Sequence, residues 1–501
     1  MLELFSYSEN SPLLFTQSAF WLFFGVIMVA YLFLHGRVEA RNRLLLVASL
    51  YFYYLSSGFY FLLLVFSTFV DYYIGGAIYR SNSPTKRKRL VTLSVVINLT
   101  LLAYFKYTFF FADGVNTLFD TELEVTNFLA AFMNVFGANM DTSNIFLPIG
   151  ISFYTFQTIS YSVDIYRGQL KPVRNIYDFG LFVSFFPQLV AGPIVRASEF
   201  IPQIYNKFSL SKEAYGRALF LIMVGLFKKI YISDYISINF VDRVFESPLS
   251  FSGFENLMAS YGYAIQIYCD FSGYTDIAIG VALLLGFQLP LNFDSPYKST
   301  SITEFWRRWH ISLSSFLRDY LYIPLGGNRK GKIRTYVNLA LTMLLGGLWH
   351  GAHIRFIIWG ALHGLALAFH KIWMEKTGSK HKKKSFGRQV VMGVITFHFV
   401  TFCWIFFRAS DMRAVEGVLM QITTNFNFEV IPQVVTAYWK VFFVLLVGFV
   451  THLAPYSWKN WLREEFTTMP TIVKASLLVL LVFVLFQSRS SEIQPFIYFQ
   501  F

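Results

Sequence analysis

Apolar runs of bilayer-crossing length recur along this chain, separated by short charged or proline-bearing breaks. A crossing needs about 20 predominantly apolar residues at 1.5 Å per residue. Residues 19–34, 58–79, 90–111, 146–166, 218–238, 260–285, 336–349, 354–372, 390–407, 435–453 and 471–486 meet or approach that length, and 43–55 and 179–194 are apolar but short or broken. Only 14% of the 501 residues are Asp, Glu, Lys or Arg, where soluble domains carry about 25%. That shortfall excludes an ordinary water-soluble core. The pattern predicts an all-α, polytopic transmembrane helix bundle of roughly ten or more membrane helices, some of them partial. It reads as one membrane-embedded domain over residues 1–501, ending in helices at 435–486.

The net charge of +13 would suggest a polyanion ligand in a soluble protein. Here the positive charge falls in blocks between apolar runs, at 86–89, 329–334 and 380–384. Such blocks mark cytoplasmic loops, so the charge needs no nucleic acid. Arg37, Arg41 and Arg43 follow the first run and only acids precede it, which places the N-terminus outside. By the same rule the runs at 336–349 and 354–372 form a hairpin that leaves the cytoplasmic face and returns. The N-terminus has Glu3 and Glu9 and no Lys or Arg before Arg37, unlike a cleaved signal peptide. Two cysteines, Cys269 and Cys403, provide neither a disulfide framework nor a zinc cluster, and no metal site is expected.

Two segments depart from plain spans. Phe186-Pro187-Gln188-Leu189-Val190-Ala191-Gly192-Pro193 carries two prolines and a glycine, which disfavour continuous helix and suggest a re-entrant or kinked element. Residues 301–322 mix Glu304, Arg307, Arg308, His310, Arg318 and Asp319 with aromatic side chains, too polar to face lipid. Ser301 and Glu304 fit a capping box, so a helix should begin there, at the interface or inside the bundle. Residues 121–144 read as an extramembrane excursion.

Ionisable groups inside apolar segments are costly and are candidates for function. His350, in Gly346-Gly347-Leu348-Trp349-His350-Gly351, ends a run that rises about 20 Å from the basic loop. A desolvated imidazole stays neutral, and neutral imidazole is what a general base needs to take a hydroxyl proton. It could equally be a histidine that ties two helices together. In Trp306-Arg307-Arg308-Trp309-His310, helical spacing puts Trp306, Trp309 and His310 near one face, with Glu304 and Arg308 able to pair. The segment could orient an acyl carbonyl, or form an interfacial belt of Trp and snorkelling Arg. Asp270 and Asp276, with Ser272 between them, could pair with Arg307 or Arg308 or line a polar tunnel. Asp71, His353, His363, His370 and His398 read as structural. No Gly-x-Ser-x-Gly, Walker or HExxH pattern occurs.

These segments resemble the membrane-bound O-acyltransferase (MBOAT) family, and its alginate O-acetyltransferase membrane-subunit branch in particular. The resemblance rests on residues 301–314, 317–329 and 341–352, strengthened by 147–154, 191–194 and 270–274, and it runs over about 43–408. It implies that His350 is the catalytic histidine and His310 the second functional position. Trp306, Arg307, Arg308, Trp349, Asp270 and Ser272 are weaker candidates for substrate binding or a tunnel wall. It implies no bound cofactor, with acetyl-CoA or another cytoplasmic acyl thioester as donor. The acyl group would leave on the far side of a bacterial inner membrane, to an extracytoplasmic acetyltransferase or a polysaccharide. D-alanyl transfer to teichoic acid and lipid acylation are alternatives within the family. A transporter is the alternative outside it, since broken helices and intramembrane charges occur there too. A His350→Ala variant separates the two classes: a transporter retains flux, whereas an acyltransferase keeps its fold and loses product.

Overall fold

The computed structural model describes residues 7, 12–137, 141–189, 192–378, 385–488 and 496–497. No strand occurs among them, and the all-α expectation holds. The chain divides into two compact units, residues 1–190 with 194–208, and 191–193 with 209–501. By length and composition, five helices among the described residues can cross a membrane, or up to seven if each of two bent pairs counts as one span. That is fewer than the run lengths suggested, because several apolar runs form short helices enclosed by protein. Ile151–Tyr166, for example, is 16 residues long and buried almost throughout.

In the first unit, the helical run over residues 38–80 is interrupted at Gly58, whose φ of +56° is open to glycine at little cost. The Phe61–Arg80, Pro84–Phe119 and Ile151–Tyr166 helices meet around a polar knot. Asp71 accepts hydrogen bonds from Asn98 Nδ2 at 2.6 Å, Ser162 Oγ at 2.7 Å and Ser94 Oγ. Asp71 thus has the partners that the sequence did not name, one set of donors on each of two neighbouring helices. Residues 186–189 form a single helical turn after a break at Phe185, as the prolines suggested, while Val190 and Ala191 lie outside the described residues. The 380–384 basic block lies outside them as well.

The second unit is built around the 32-residue Gly253–Leu284 helix. A complete capping box starts it, with Ser252 Oγ accepting from Glu255 N–H and Glu255 Oε2 accepting from Ser252 N–H. Its apolar window is 89% buried, whereas that of Ile354–Thr377 is 28% buried and turns Leu365 and Phe369 outward. An enclosed helix can carry polar side chains such as Gln266 and Asp270 among protein partners, and outward Leu and Phe suit lipid.

The expected hairpin forms: Lys332–His350 and Ile354–Thr377 are joined by Gly351, Ala352 and His353. The helices approach backbone to backbone. A Cβ on Gly347 would stand 2.2 Å from the Phe356 carbonyl oxygen, and one on Gly360 would stand 2.4 Å from that of Met343. In lipid, where apolar burial gives little drive to associate, such small-residue faces permit the van der Waals contact that holds helices together.

The knot at Asp71 gives a direct stability test. Asp71→Ala strands three buried donors, so we expect a loss of about 2–4 kcal/mol and a lower unfolding midpoint in detergent. Asp71→Asn, which keeps one acceptor oxygen, should lose less; equal midpoints for all three proteins would contradict the role given to the knot.

Candidate active site

His350 is the last residue of the Lys332–His350 helix and is 4% exposed. Nineteen residues of helix put it roughly 28 Å along the axis from Lys332, beside the basic loop. Three aromatic rings close around its imidazole: Trp349 at 5.0 Å, Trp359 at 5.1 Å and Phe407 at 5.1 Å between centroids. Phe407 is held from behind by Arg355, a buried cation whose Nη1 donates to the Phe407 carbonyl oxygen at 2.5 Å.

His310 is fully buried, and its backbone departs from the sequence expectation. The Ile302–Arg308 helix stops before Trp309, His310 takes a left-handed φ of +44°, and a new helix starts at Ile311. Trp306, Trp309 and His310 therefore do not share a helical face. A left-handed non-glycine residue costs about 1–3 kcal/mol and persists only where surrounding contacts fix it. Asn292 supplies them. Its carbonyl oxygen accepts from Ile311 N–H at 2.9 Å, and its Oδ1 accepts from Ser312 N–H at 3.1 Å and Ser312 Oγ at 2.9 Å. The same Oδ1 lies 3.2 Å from His310 Nδ1. Because a backbone N–H can only donate, the amide orientation is fixed, and His310 Nδ1 must carry the proton. The lone pair is then on Nε2. His310 sits between two helices too short to span a bilayer, and burial pushes its imidazole down from 6.5 to about 3.

The two motif histidines meet on one side chain. The Trp349 indole lies 5.0 Å from the His350 ring and 6.3 Å from the His310 ring. Trp309, expected in an interfacial belt, is instead core: 2% exposed, it packs on Phe293 and Trp404 at 5.0 Å each. Ser301 caps its helix as expected, but Glu304 reaches one residue further back, taking hydrogen bonds from Thr300 N–H and Thr300 Oγ1. Arg308 pairs with Glu304 at 2.9 Å as foreseen, and also with Asp294 and the Tyr456 hydroxyl.

Trp306 and Arg307 face a cavity of about 590 Å³, walled by Leu339, Met343, Leu367 and Met374 and carrying three cations, Arg307, Arg318 and Lys371, and one carboxylate, Glu375; Arg318 is paired with Asp319 at 2.6 Å. Asp270 and Asp276 find lysines rather than arginines. Lys229 lies between Asp270 at 2.5 Å and Asp234 at 2.7 Å, and Lys228 meets Asp276 at 2.7 Å. These lysines lie on the Phe227–Asp234 π-helical segment, inside a run that read as a plain span. Asp270 also accepts from Ile497 N–H at 3.0 Å. Asp270 and Ser272 flank Phe271, and it is Phe271 that touches His310, at 4.7 Å. Among the described residues no set of His, Cys, Asp and Glu could hold a metal ion.

Sequence reasoning missed Asn292, Trp359, Arg355 and the role of His363. His363 Nδ1 accepts the Trp306 indole N–H at 3.3 Å. Its sequence did carry a signal: Trp359-Gly360-Ala361-Leu362-His363-Gly364 places Trp and His four apart and repeats the His-Gly of the neighbouring helix end. Asn292 lies in an irregular loop, where periodicity gives no signal.

A helical membrane chain with two buried histidines on one indole, beside a cationic cavity, has the features of a membrane acyl-transfer enzyme. Residues 14–410 match the sequence model of MBOAT, the membrane-bound O-acyltransferase family, and the chain belongs to that family. It is a multi-pass membrane enzyme, an O-acyltransferase. Among its relatives is a Pseudomonas syringae protein named "Probable alginate O-acetylase AlgI", 41% identical over 403 residues that cover 80% of this chain and 73% of the relative. A peptidoglycan O-acetyltransferase of Helicobacter pylori is 37% identical over 84% of this chain and 80% of its own length. A teichoic acid D-alanyltransferase of Bacillus subtilis is 31% identical over 54% of this chain and 71% of its own length.

The Asn292–His310 contact predicts a change in pH profile. Between about pH 3 and 6.5 an exposed imidazole takes up a proton and His310 does not, so the native enzyme shows no acid limb from this ring. Asn292→Asp sets a carboxylate against Nδ1 and favours the imidazolium. We expect an acid limb in kcat at about pH 5–7 in this variant. An unchanged profile would remove the Asn292–His310 hydrogen bond from the chemistry.

Proposed function

We propose that this protein transfers an acetyl group from a cytoplasmic thioester, acetyl-CoA, to oxygen on the far side of a bacterial inner membrane. The acceptor is a hydroxyl of an extracytoplasmic polysaccharide such as alginate, or of an acetyltransferase that serves one. Residues 1–501 act as one acyltransferase domain, a reading supported by a family match that runs across both compact units.

The observation that carries this reading is the pairing of His350 and His310 against Trp349 in a buried aromatic setting. His350 takes the proton of the attacking hydroxyl, and His310, its Nε2 lone pair set by Asn292, orients the acceptor or the acyl group. The cavity supports a coenzyme A thioester as donor. It adjoins the stretch of the hairpin that leads to the Lys-rich loop, the side that charge bias makes cytoplasmic. Arg307 and Lys371 match a donor rich in phosphate, and the Leu and Met walls match a thin pantetheine arm. Greater similarity to the O-acetylating relatives than to the D-alanyltransferase, in identity and in coverage, favours acetyl over D-alanyl.

Radiolabelled acetyl-CoA supplied outside inside-out vesicles, with the purified protein as the sole enzyme and an alginate oligosaccharide enclosed, tests the donor and the direction together. Label should reach the enclosed sugar. Arg307→Ala and Lys371→Ala should each raise KM for acetyl-CoA about tenfold with kcat little changed, as expected when one charge-assisted hydrogen bond to the donor is removed. Transfer that ignores acetyl-CoA but accepts a carrier-protein thioester would sink the donor assignment.

A further inference from the structure

Two buried N–H groups beside His350 take no part in the transfer as proposed above. Trp359 is 1% exposed and His363 0%. Trp359 Nε1 and His363 Nε2 have no hydrogen-bond partner among the described residues. The His363 tautomer is determined by its neighbour. Indole N–H can only donate, so Trp306 Nε1, at 3.3 Å, makes His363 Nδ1 the acceptor. The proton of a neutral His363 is therefore on Nε2, which becomes a buried donor with nothing to donate to. Trp359 and His363 stand one turn apart on the Ile354–Thr377 helix, with ring centroids 4.7 Å apart.

Their position is as informative as their chemistry. Trp306 lines the cationic cavity and lies 5.2 Å from His363 and 5.7 Å from Trp359. Trp359 in turn lies 5.1 Å from His350. The two donors thus sit in an unbroken row of rings between the donor cavity and the imidazole. Of the rings that meet them, Phe305, Trp404, Phe407 and Phe399 contribute no competing acceptor. An orphaned buried donor costs about 1–3 kcal/mol, and a bound water, a ligand or a catalytic role can account for one. Two neutral donors side by side suit a neutral acceptor that gains negative charge during reaction.

We propose that Trp359 and His363 form the carbonyl-oxygen site of the transfer, their N–H groups holding the acyl oxygen as it becomes an oxyanion. The proposal rests on the acyl-transfer reading of His350. The acceptor hydroxyl oxygen bonds to the thioester carbonyl carbon, its proton passes to His350, and the carbonyl electron pair moves onto the oxygen between the two donors. That pair then re-forms the C=O bond, the C–S bond breaks, and the thiolate leaves with the proton from His350. The two N–H groups stabilise the intermediate and give up no proton.

Kinetics and stability of the full chain in vesicles, with acetyl-CoA and an alginate oligosaccharide, test the site. Trp359→Phe deletes an N–H and keeps a ring; His363→Phe deletes an N–H and, with it, the Nδ1 that accepts from Trp306. Each should lower kcat about 10–100-fold with KM little changed, in the direction expected when an oxyanion donor is removed. His363→Gln, which returns an N–H near the Nε2 position, should recover part of kcat. Since the Trp359 donor is an orphan, the unfolding midpoint of Trp359→Phe should hold or rise, whereas a packing or water-holding group would lose stability when cut. In infrared difference spectra, the carbonyl band of bound carbonyl-¹³C acetyl-CoA should move to higher frequency in Trp359→Phe. Wild-type kcat in both Phe variants, or a Trp359→Phe midpoint that falls along with activity, would overturn the site. The controls separate the two ideas: transfer that survives His350→Ala defeats the acyl-transfer reading itself. Loss in His350→Ala with full kcat in both Phe variants defeats only the carbonyl site. If no turnover is obtained with this donor, a lowered midpoint in Trp359→Phe still counts against it.

Discussion

Close packing of the two hairpin helices sets the distances on which the candidate site depends. Gly347 and Gly360 leave no room for a Cβ between the helices, so the backbone of one lies against the backbone of the other. Only at that separation can Trp359 on the second helix reach His350 at the end of the first. A larger residue at either glycine would force the helices apart and open the ring cluster. In a lipid solvent this association has to come from dispersion between complementary faces, since moving apolar surface from lipid to protein gains little.

The same solvent explains how the polar groups are arranged. Asp71, Asp270, Asp276, Lys228 and Lys229 would each be costly facing lipid, and each is matched by partners inside its own unit. The site is treated differently. Its histidines stand among Trp and Phe rings rather than among carboxylates. Charged side chains line the cavity instead, among them Arg307, Arg318, Lys371 and Glu375. That division suits the donor proposed above, a thioester whose phosphates would meet cations and whose carbonyl would react where water is scarce.

His310 shows the cost of that arrangement. A left-handed histidine is strained, and Asn292 holds it by hydrogen bonds to both the backbone and the ring. One residue thereby fixes the break between two short helices and the position of a proton. Helical periodicity alone made residues 301–310 one amphipathic face. The break is set by a loop 18 residues earlier in the chain.

Much was legible in the sequence because a bilayer constrains composition so strongly. Helical class, the membrane setting and the hairpin follow from run lengths and charge blocks, and the family from the resemblance carried by residues 301–314, 317–329 and 341–352. Local chemistry also foretold the Ser301 cap and the Glu304–Arg308 pair, which involve residues within one helical turn. Partners distant in the chain were decided by tertiary structure alone. Lysines rather than arginines answer Asp270 and Asp276, Asn292 answers His310, and His363 stands between the Trp306 indole and Trp359. The physical reason is that a sequence fixes what each side chain can donate or accept. Which groups are left over becomes defined only when helices pack and exclude water.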